Sequence, residues 1–536
     1  MSVREGGLLG RAIDGSESIS ESTGLLLLAA AIAVAVLSPV VWLLLRATDI
    51  GSARILALLG SRAATEALVN SVALVAVVTT ASVLVGVPLA VLTTRTDLPF
   101  RRFWTVAVSL PLVIPSYIGA FAFVSAFGPS GLLADALGVR LPPIYGFVGA
   151  ALVLTLFIYP YVFIGTRAAL LTFDASLVEA ARTLNHGRWG AFRRVTLPRI
   201  VPGIAAGALL VALYTLSDFG TPAIMHFDTF TRMIYVEFNT FARDMAALLS
   251  IQLLVVTAVI LAIESRIGAD DARAYASAER GGSETLQIRL GRWRWPAMAV
   301  PALVTTLTLV VPIGVLVLWM VRASPGYAGG FAFHWSYGFN SLWVSGVAAV
   351  IATLAAIPVA YLSTSREGVL SSLIERATFV GYAMPGIVLG LSLVYFGSSY
   401  APWLYQTIPL LLFAYLVRFM PQAVGTVRSS LLQIDPKLVE ASRTLGRSNL
   451  STFRSVTLPL VLPGIAAGAA LVFLTTMKEL PATLMLHPTG FKTIVTYIWM
   501  VQGSGNYGSA ALPALVLVAI SGLSMFVILA RGRYDG

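Results

Sequence analysis

The chain has 536 residues, of which 57% are hydrophobic and only 11% charged, whereas a soluble domain carries roughly a quarter charged residues. So few polar groups cannot cover a water-soluble fold of this length, and so apolar a chain is not disordered; the solvent left is lipid. The net charge of +11 rests almost wholly on arginine, with lysine only at Lys437, Lys478 and Lys492, and no polar basic domain is present to bind nucleic acid. Cysteine is absent, which excludes disulfides and thiolate chemistry. His186, His226, His334 and His487 are dispersed without ligand spacing, so no resident metal site is expected.

A spanning helix needs about 20 apolar residues. After a cytoplasmic N-terminus at 1–23, the apolar runs predict spans at 24–46, 68–94, 104–128, 144–166, 195–217 and 244–263. A second set follows at 297–321, 341–364, 377–397, 403–427, 456–477 and 510–530. The first run is long enough to span and lacks a small-residue cleavage site, so it is expected to stay. The polar stretch 264–296, with Glu264, Asp270, Asp271, Glu279 and Glu284 among its arginines, reads as a cytoplasmic linker between halves 24–263 and 297–531. With both termini inside, 26 of the 36 basic residues fall on the cytoplasmic side, 9 outside, and Arg418 within a span. That asymmetry sets the expected orientation.

The chain repeats itself. Residues 170–208 align without a gap to 431–469, with 23 of 39 positions identical. Upstream, Asn70-Ser71 matches Asn340-Ser341, Pro88 matches Pro358, and Pro115 matches Pro385, all at an offset of 270. Six spans per half make the repeats parallel. The most similar segment is a cytoplasmic loop between the fourth and fifth spans of each half, at 167–195 and 428–456. Loops normally vary more than the elements they connect, and a recent duplication would have left the spans equally alike. The loop therefore reads as a contact surface.

Within it, Asp174 and Asp435 are placed to cap short helices, and Pro436 suits a first helical position. Leu177 and Leu184, seven apart, share one stripe beside a low face of small residues. Gly446 ends the second copy in the left-handed conformation, where the first has Asn185 followed by Gly187. Then Thr-Leu-Pro opens the next span, and a Pro-Gly pair inside it predicts a kink. The expected hinges are Pro198, Pro202 and Gly203, with Pro459, Pro463 and Gly464. The small residues after the pair allow close helix packing.

Glu179-Ala180-Ala181 with Leu197-Pro198, and Glu440-Ala441-Ser442 with Leu458-Pro459, resemble the EAA loop of ABC importer permeases, the coupling helix that docks on an ATP-binding subunit. Asn185 in place of glycine and Ser442 in place of alanine depart from the family pattern. The resemblance covers nearly the whole chain. It implies an all-α polytopic membrane protein of the type I ABC importer permease fold, with about 12 transmembrane helices in two parallel six-helix repeats. It assigns coupling to Glu179, Ala180, Ala181, Arg182, Asn185 and Gly187, and to Glu440, Ala441, Ser442, Arg443 and Gly446. The partners it implies are two cytoplasmic ABC ATPase subunits and an extracytoplasmic substrate-binding protein, in the plasma membrane of a prokaryote. ATP and Mg would sit on the partner subunits, and this chain has no G-x-x-x-x-G-K-[ST] loop to hold a nucleotide.

The stretches from Thr215 to Pro222 and from Met477 to Met485 resemble those of iron(III) permeases; permeases for thiamine, phosphonate or polyamine are the alternatives. The rival class is a secondary transporter with two parallel six-span repeats. That class uses ionisable residues within spans, and these are nearly absent. Asp218 and Glu479, equivalent at an offset of 261, either mark span ends or gate the pathway, and Lys478 is a candidate partner for Glu479. Arg418 snorkels, meets a backbone carbonyl or faces the pathway. Trp42, Trp104, Trp319 and Trp499 are expected as interface anchors.

Overall fold

The computed structural model describes residues 6–128, 131–132, 138, 144–172, 183, 190, 192–275, 288–322, 332–365 and 368–531. Its regular structure is helical, apart from one isolated backbone bridge. Among the described residues, nine helices are long and apolar enough to cross a membrane, and eleven if each of two bent pairs counts as one span. The twelfth expected span falls within helix Tyr507–Arg531. The tenth lies at Ile408–Leu432, five residues beyond its expected place, because Pro402 and Trp403 belong to a turn that precedes it.

The third and ninth spans correct the sequence reading. The apolar runs predict each as a single span, with no corner in it. Instead Arg101–Val113 and Ser116–Phe127 meet at 91°, and Val369–Ala383 and Gly386–Ser399 meet at 101°. The corners are Pro115 and Pro385, both with ψ near 140°. Proline forces its preceding residue out of the helical region, and Ile114 and Met384 are extended accordingly. Hydropathy averages over such a corner, so it is invisible to a window that counts apolar residues.

The chain forms two compact units. One comprises the described parts of 1–46, 335–495 and 526–536; the other comprises 47–334 and 496–525. Neither unit is a sequence half. In the first unit, the N-terminal helix Gly6–Ile50 packs on the ninth span: Trp42 packs at a tilt against Phe396 and Tyr400, with ring centroids 4.7 and 5.0 Å apart, and Arg46 lies over Tyr395. In the second unit, the seventh span packs on the third, with Val315 against Ala122, Ala126 and Leu132. Tyr507 of the last helix touches both Phe121 and Trp319.

In each unit the fourth and fifth spans of one sequence half meet through glycine. A Cβ on Gly203 would stand 2.7 Å from the Gly165 carbonyl oxygen, and one on Gly207 2.6 Å from Val162 Cα. In the other unit a Cβ on Gly464 or Gly468 would run into Ser430 or Thr426. These contacts bring backbones together where hydrophobic burial offers no drive, so packing decides. Helices Leu197–Ser217 and Leu458–Met477 each continue as one segment through Pro202 and Pro463. Each is preceded by a π-helical turn, at Phe192–Thr196 and Phe453–Thr457.

Candidate functional site

The second-half loop is described in full. Asp435 Oδ1 accepts from Lys437 N at 3.0 Å, and helix Pro436–Thr444 starts there. It stops after Leu445, where Gly446 takes φ +82°. That left-handed value suits glycine because a Cβ would be strained. Ser448 then caps the short helix Asn449–Thr452 through Ser451 N. The buried Ser442 hydroxyl lies 3.0 Å from Thr452 Oγ1, so the residue that departs from the alanine pattern ties helix Pro436–Thr444 to the short helix after it. Phe453 of the π turn packs edge-on against Tyr361 of the eighth span.

The outer face of helix Pro436–Thr444 is exposed. Glu440, Ala441 and Arg443 are exposed, and Leu432, Leu438, Leu445 and Leu450 are 50–82% exposed. Beside it, Ser448, Leu450, Ser451, Arg454 and Ser455 line an open depression of about 410 Å³. Leucines at this exposure on a capped, rigid turn make a surface that another protein can bury.

The first-half copies, Glu179, Ala180, Ala181, Arg182, Asn185 and Gly187 with the cap Asp174, lie outside the described residues. Beyond them the chain forms the same π turn, leading into the same kind of span.

At the other end of the fifth and eleventh spans, the two equivalent carboxylates sit in matching corners. Asp218 accepts from Ser116 Oγ at 2.7 Å and from Thr221 N at 3.0 Å. Glu479 accepts from Ala482 N at 3.1 Å, and Arg418 Nε stands 3.1 Å from its Oε2 in an off-axis ion pair. Each carboxylate joins the end of its span to a short helix, Gly220–Ile224 or Pro481–Leu486. Each also faces the start of the second arm of the bent span, at Ser116 or Gly386. Arg418 donates to the Met384 carbonyl at 2.7 Å as well. Of the readings open for Arg418, the backbone carbonyl is realised together with a carboxylate partner. Arg418 thus supplies a partner for Glu479 from across the fold, which the sequence reading did not name.

Two positions that sequence reasoning passed over complete the corners. Ser116 and Gly386 are equivalent at the offset of 270, and a Cβ on Gly386 would run into Glu479 Oε1. The longer acid in the second half thus occupies the volume that a serine fills in the first. The matched Asn-Ser pairs also acquire a role. Asn70 and Asn340 each donate to a loop carbonyl, of Asp228 and Lys492, at 2.9 Å. Ser71 and Ser341 accept from Phe230 N and Ile494 N at 2.9 and 2.8 Å. Among the described residues no three His, Cys, Asp or Glu side chains converge. Trp499 packs on Phe219 and Tyr235 at 5.0 and 6.0 Å, an internal contact beside the Asp218 corner.

The family model for binding-protein-dependent transport system inner membrane components matches residues 82–267 and 350–531, once in each sequence half. The Fe(3+)-transport system permease protein FbpB 2 of Haemophilus influenzae is 31% identical over 494 residues, covering 91% of this chain and 94% of the relative. The ferric transport system permease protein FbpB of Actinobacillus pleuropneumoniae is 23% identical over 492 residues, with 87% and 71% covered. The molybdenum transport system permease protein ModB of Mycobacterium tuberculosis is 33% identical over 231 residues, which is 40% of this chain and 86% of the relative.

Proposed function

Because the chain belongs to the family of binding-protein-dependent transport system inner membrane components, we propose that it forms the translocation pathway of an ATP-driven importer for iron(III). Both permease halves lie in one polypeptide. The observation that carries the coupling role is the exposed helix Pro436–Thr444, fixed at both ends and linked through a π turn to a spanning helix. A helix held this rigidly passes a push from below into the eleventh span. Its repeat at 175–186 would do the same for the fifth. Two ATPase subunits would thus move two spans together, and an extracytoplasmic binding protein would deliver the substrate. Support for iron(III) comes from the ferric relatives that align along most of the chain.

The test is the double substitution Glu179→Arg with Glu440→Arg. Both sites are in the repeated loop, and Glu440 is exposed, so the variant should insert normally. It is expected to lose co-purification of the ATPase subunits and to lose ATP-dependent uptake of ferric ion by at least tenfold. Wild-type uptake in the variant would overturn the docking assignment. Normal docking with no ferric uptake in the wild type, but uptake of thiamine, phosphonate or polyamine, would overturn the substrate.

A further inference from the structure

The linker between the repeats does more than tether them. Its C-terminal end is docked on the loop after the second span. Ile288 N donates to Arg95 O at 2.7 Å, Asp97 N donates to Ile288 O at 3.3 Å, and Leu290 N donates to Asp97 Oδ1 at 2.7 Å. Arg95 is itself buried and donates to the Leu170 carbonyl at 2.7 Å. This docking brings together two segments nearly 190 residues apart: Phe100-Arg101-Arg102-Phe103 and Arg292-Trp293-Arg294-Trp295. The helices that lead on from them, Arg101–Ser109 and Ala299–Thr305, pack against each other.

The composition of the joined surface is unusual. Phe100, Phe103, Trp293 and Trp295 are 58–70% exposed. Arg102, Arg292 and Arg294 are exposed, and Arg101 lies near enough to Arg167 for their charges to repel. The carboxylate of Asp97 beside them accepts from Leu290 N. Among the described residues these arginines have no ion-pair partner. Both segments are the first turns of helices that are long and apolar enough to span, Gly291–Arg322 and the bent pair that begins at Arg101. The cluster therefore sits where an apolar span meets solvent, the depth at which aromatic rings and arginine side chains meet lipid headgroups.

The internal repeat provides the control. At the offset of 270, Phe100-Arg101-Arg102-Phe103 corresponds to Leu370-Ser371-Ser372-Leu373. The same bent span is thus built in the second half without basic residues at this turn. Neither the fold nor the general excess of positive charge on one side requires the cluster.

We propose that the surface formed by Arg101, Arg102, Arg292 and Arg294 with Trp293 and Trp295 binds the headgroup of an anionic phospholipid. The guanidinium groups would take the phosphate, and the exposed rings would lie along the acyl-chain boundary. Such a lipid would neutralise like charges that the protein leaves facing one another, and would brace the docked linker against the third span.

The experiment uses the full chain with its ATPase subunits in mild detergent, titrated with phosphatidylglycerol or phosphatidylcholine and read by native mass spectrometry. Wild type is expected to keep phosphatidylglycerol adducts over phosphatidylcholine. Arg292→Gln with Arg294→Gln, both exposed and therefore tolerated by the fold, should weaken phosphatidylglycerol binding roughly tenfold or more. Arg366→Gln with Arg376→Gln removes the same charge from the corresponding end of the second half and should leave binding unchanged. Equal loss in both double variants, or none in the first, would overturn the proposal. Displacement of the lipid by millimolar inorganic phosphate would show a bare anion site and overturn the lipid assignment. Loss of the ATPase subunits with lipid retained in Arg292→Gln/Arg294→Gln would assign the surface to protein instead.

Discussion

Gly386 shows how two repeats keep one corner with different residues. In the first half a short acid reaches a serine hydroxyl; in the second a longer acid reaches an arginine through the space that a glycine leaves. Gly386→Ser should therefore clash with Glu479 and destabilise by about 1–3 kcal/mol. Adding Glu479→Asp withdraws the carboxylate and should recover much of that loss. Thermal denaturation of the two variants checks this, and a double variant no better than Gly386→Ser would refute the pairing. Arg418→Met leaves a buried carboxylate unpaired, with an expected loss of about 3–5 kcal/mol, whereas Arg418→Met with Glu479→Gln should lose less. Asp218 and Glu479 were legible as equivalent from their offset. Their partners were not, because Ser116 and Arg418 reach them from over 60 residues away.

At the level of the element, helix Pro436–Thr444 was the most legible part. A capping aspartate, a first-position proline and a terminating glycine all act within a few residues, and the structure uses each at its expected place. Gly446→Val should strain the turn at φ +82° and lower ATPase docking without affecting insertion. Assaying subunit co-purification against surface expression separates the two. The Pro-Gly pairs were less legible. Gly464 serves where two spans approach, so Gly464→Leu is expected to push the fourth and fifth spans of that half apart and reduce the yield of folded protein several-fold. Size-exclusion profiles of the purified variant report this directly. A π turn precedes each span that carries a Pro-Gly pair, and its sequence, Phe-Arg-Arg-Val-Thr or Phe-Arg-Ser-Val-Thr, carries no local breaker.

On the scale of the molecule, each compact unit contains spans from both sequence repeats. The seventh span packs with the third, and the last helix contacts both. Cutting the chain at a protease site placed within 276–287 should therefore leave the two fragments associated. Co-purification of both fragments through a tag on one of them is the expected outcome, and their separation in mild detergent would contradict this packing. The docking of Ile288 and Leu290 onto 95–97 holds the C-terminal side of the cut independently of chain continuity.

Lipid as solvent, the rough position of the spans, the parallel repeat and the exposed helix Pro436–Thr444 are all dictated by composition and by interactions local in sequence. A run of apolar residues must be a helix in hydrocarbon, since each backbone group needs a partner within its own segment. Which helix lies beside which is not dictated in this way, because one apolar surface resembles another and small residues allow many contacts. Tertiary structure alone decided the right-angle corners at Pro115 and Pro385, the assignment of the first and seventh spans to their units, and the Arg418–Glu479 pair. It also decided the meeting of two arginine-aromatic segments beside a docked linker. Each of these depends on residues far apart in the chain, whose proximity is set by the packing of whole helices.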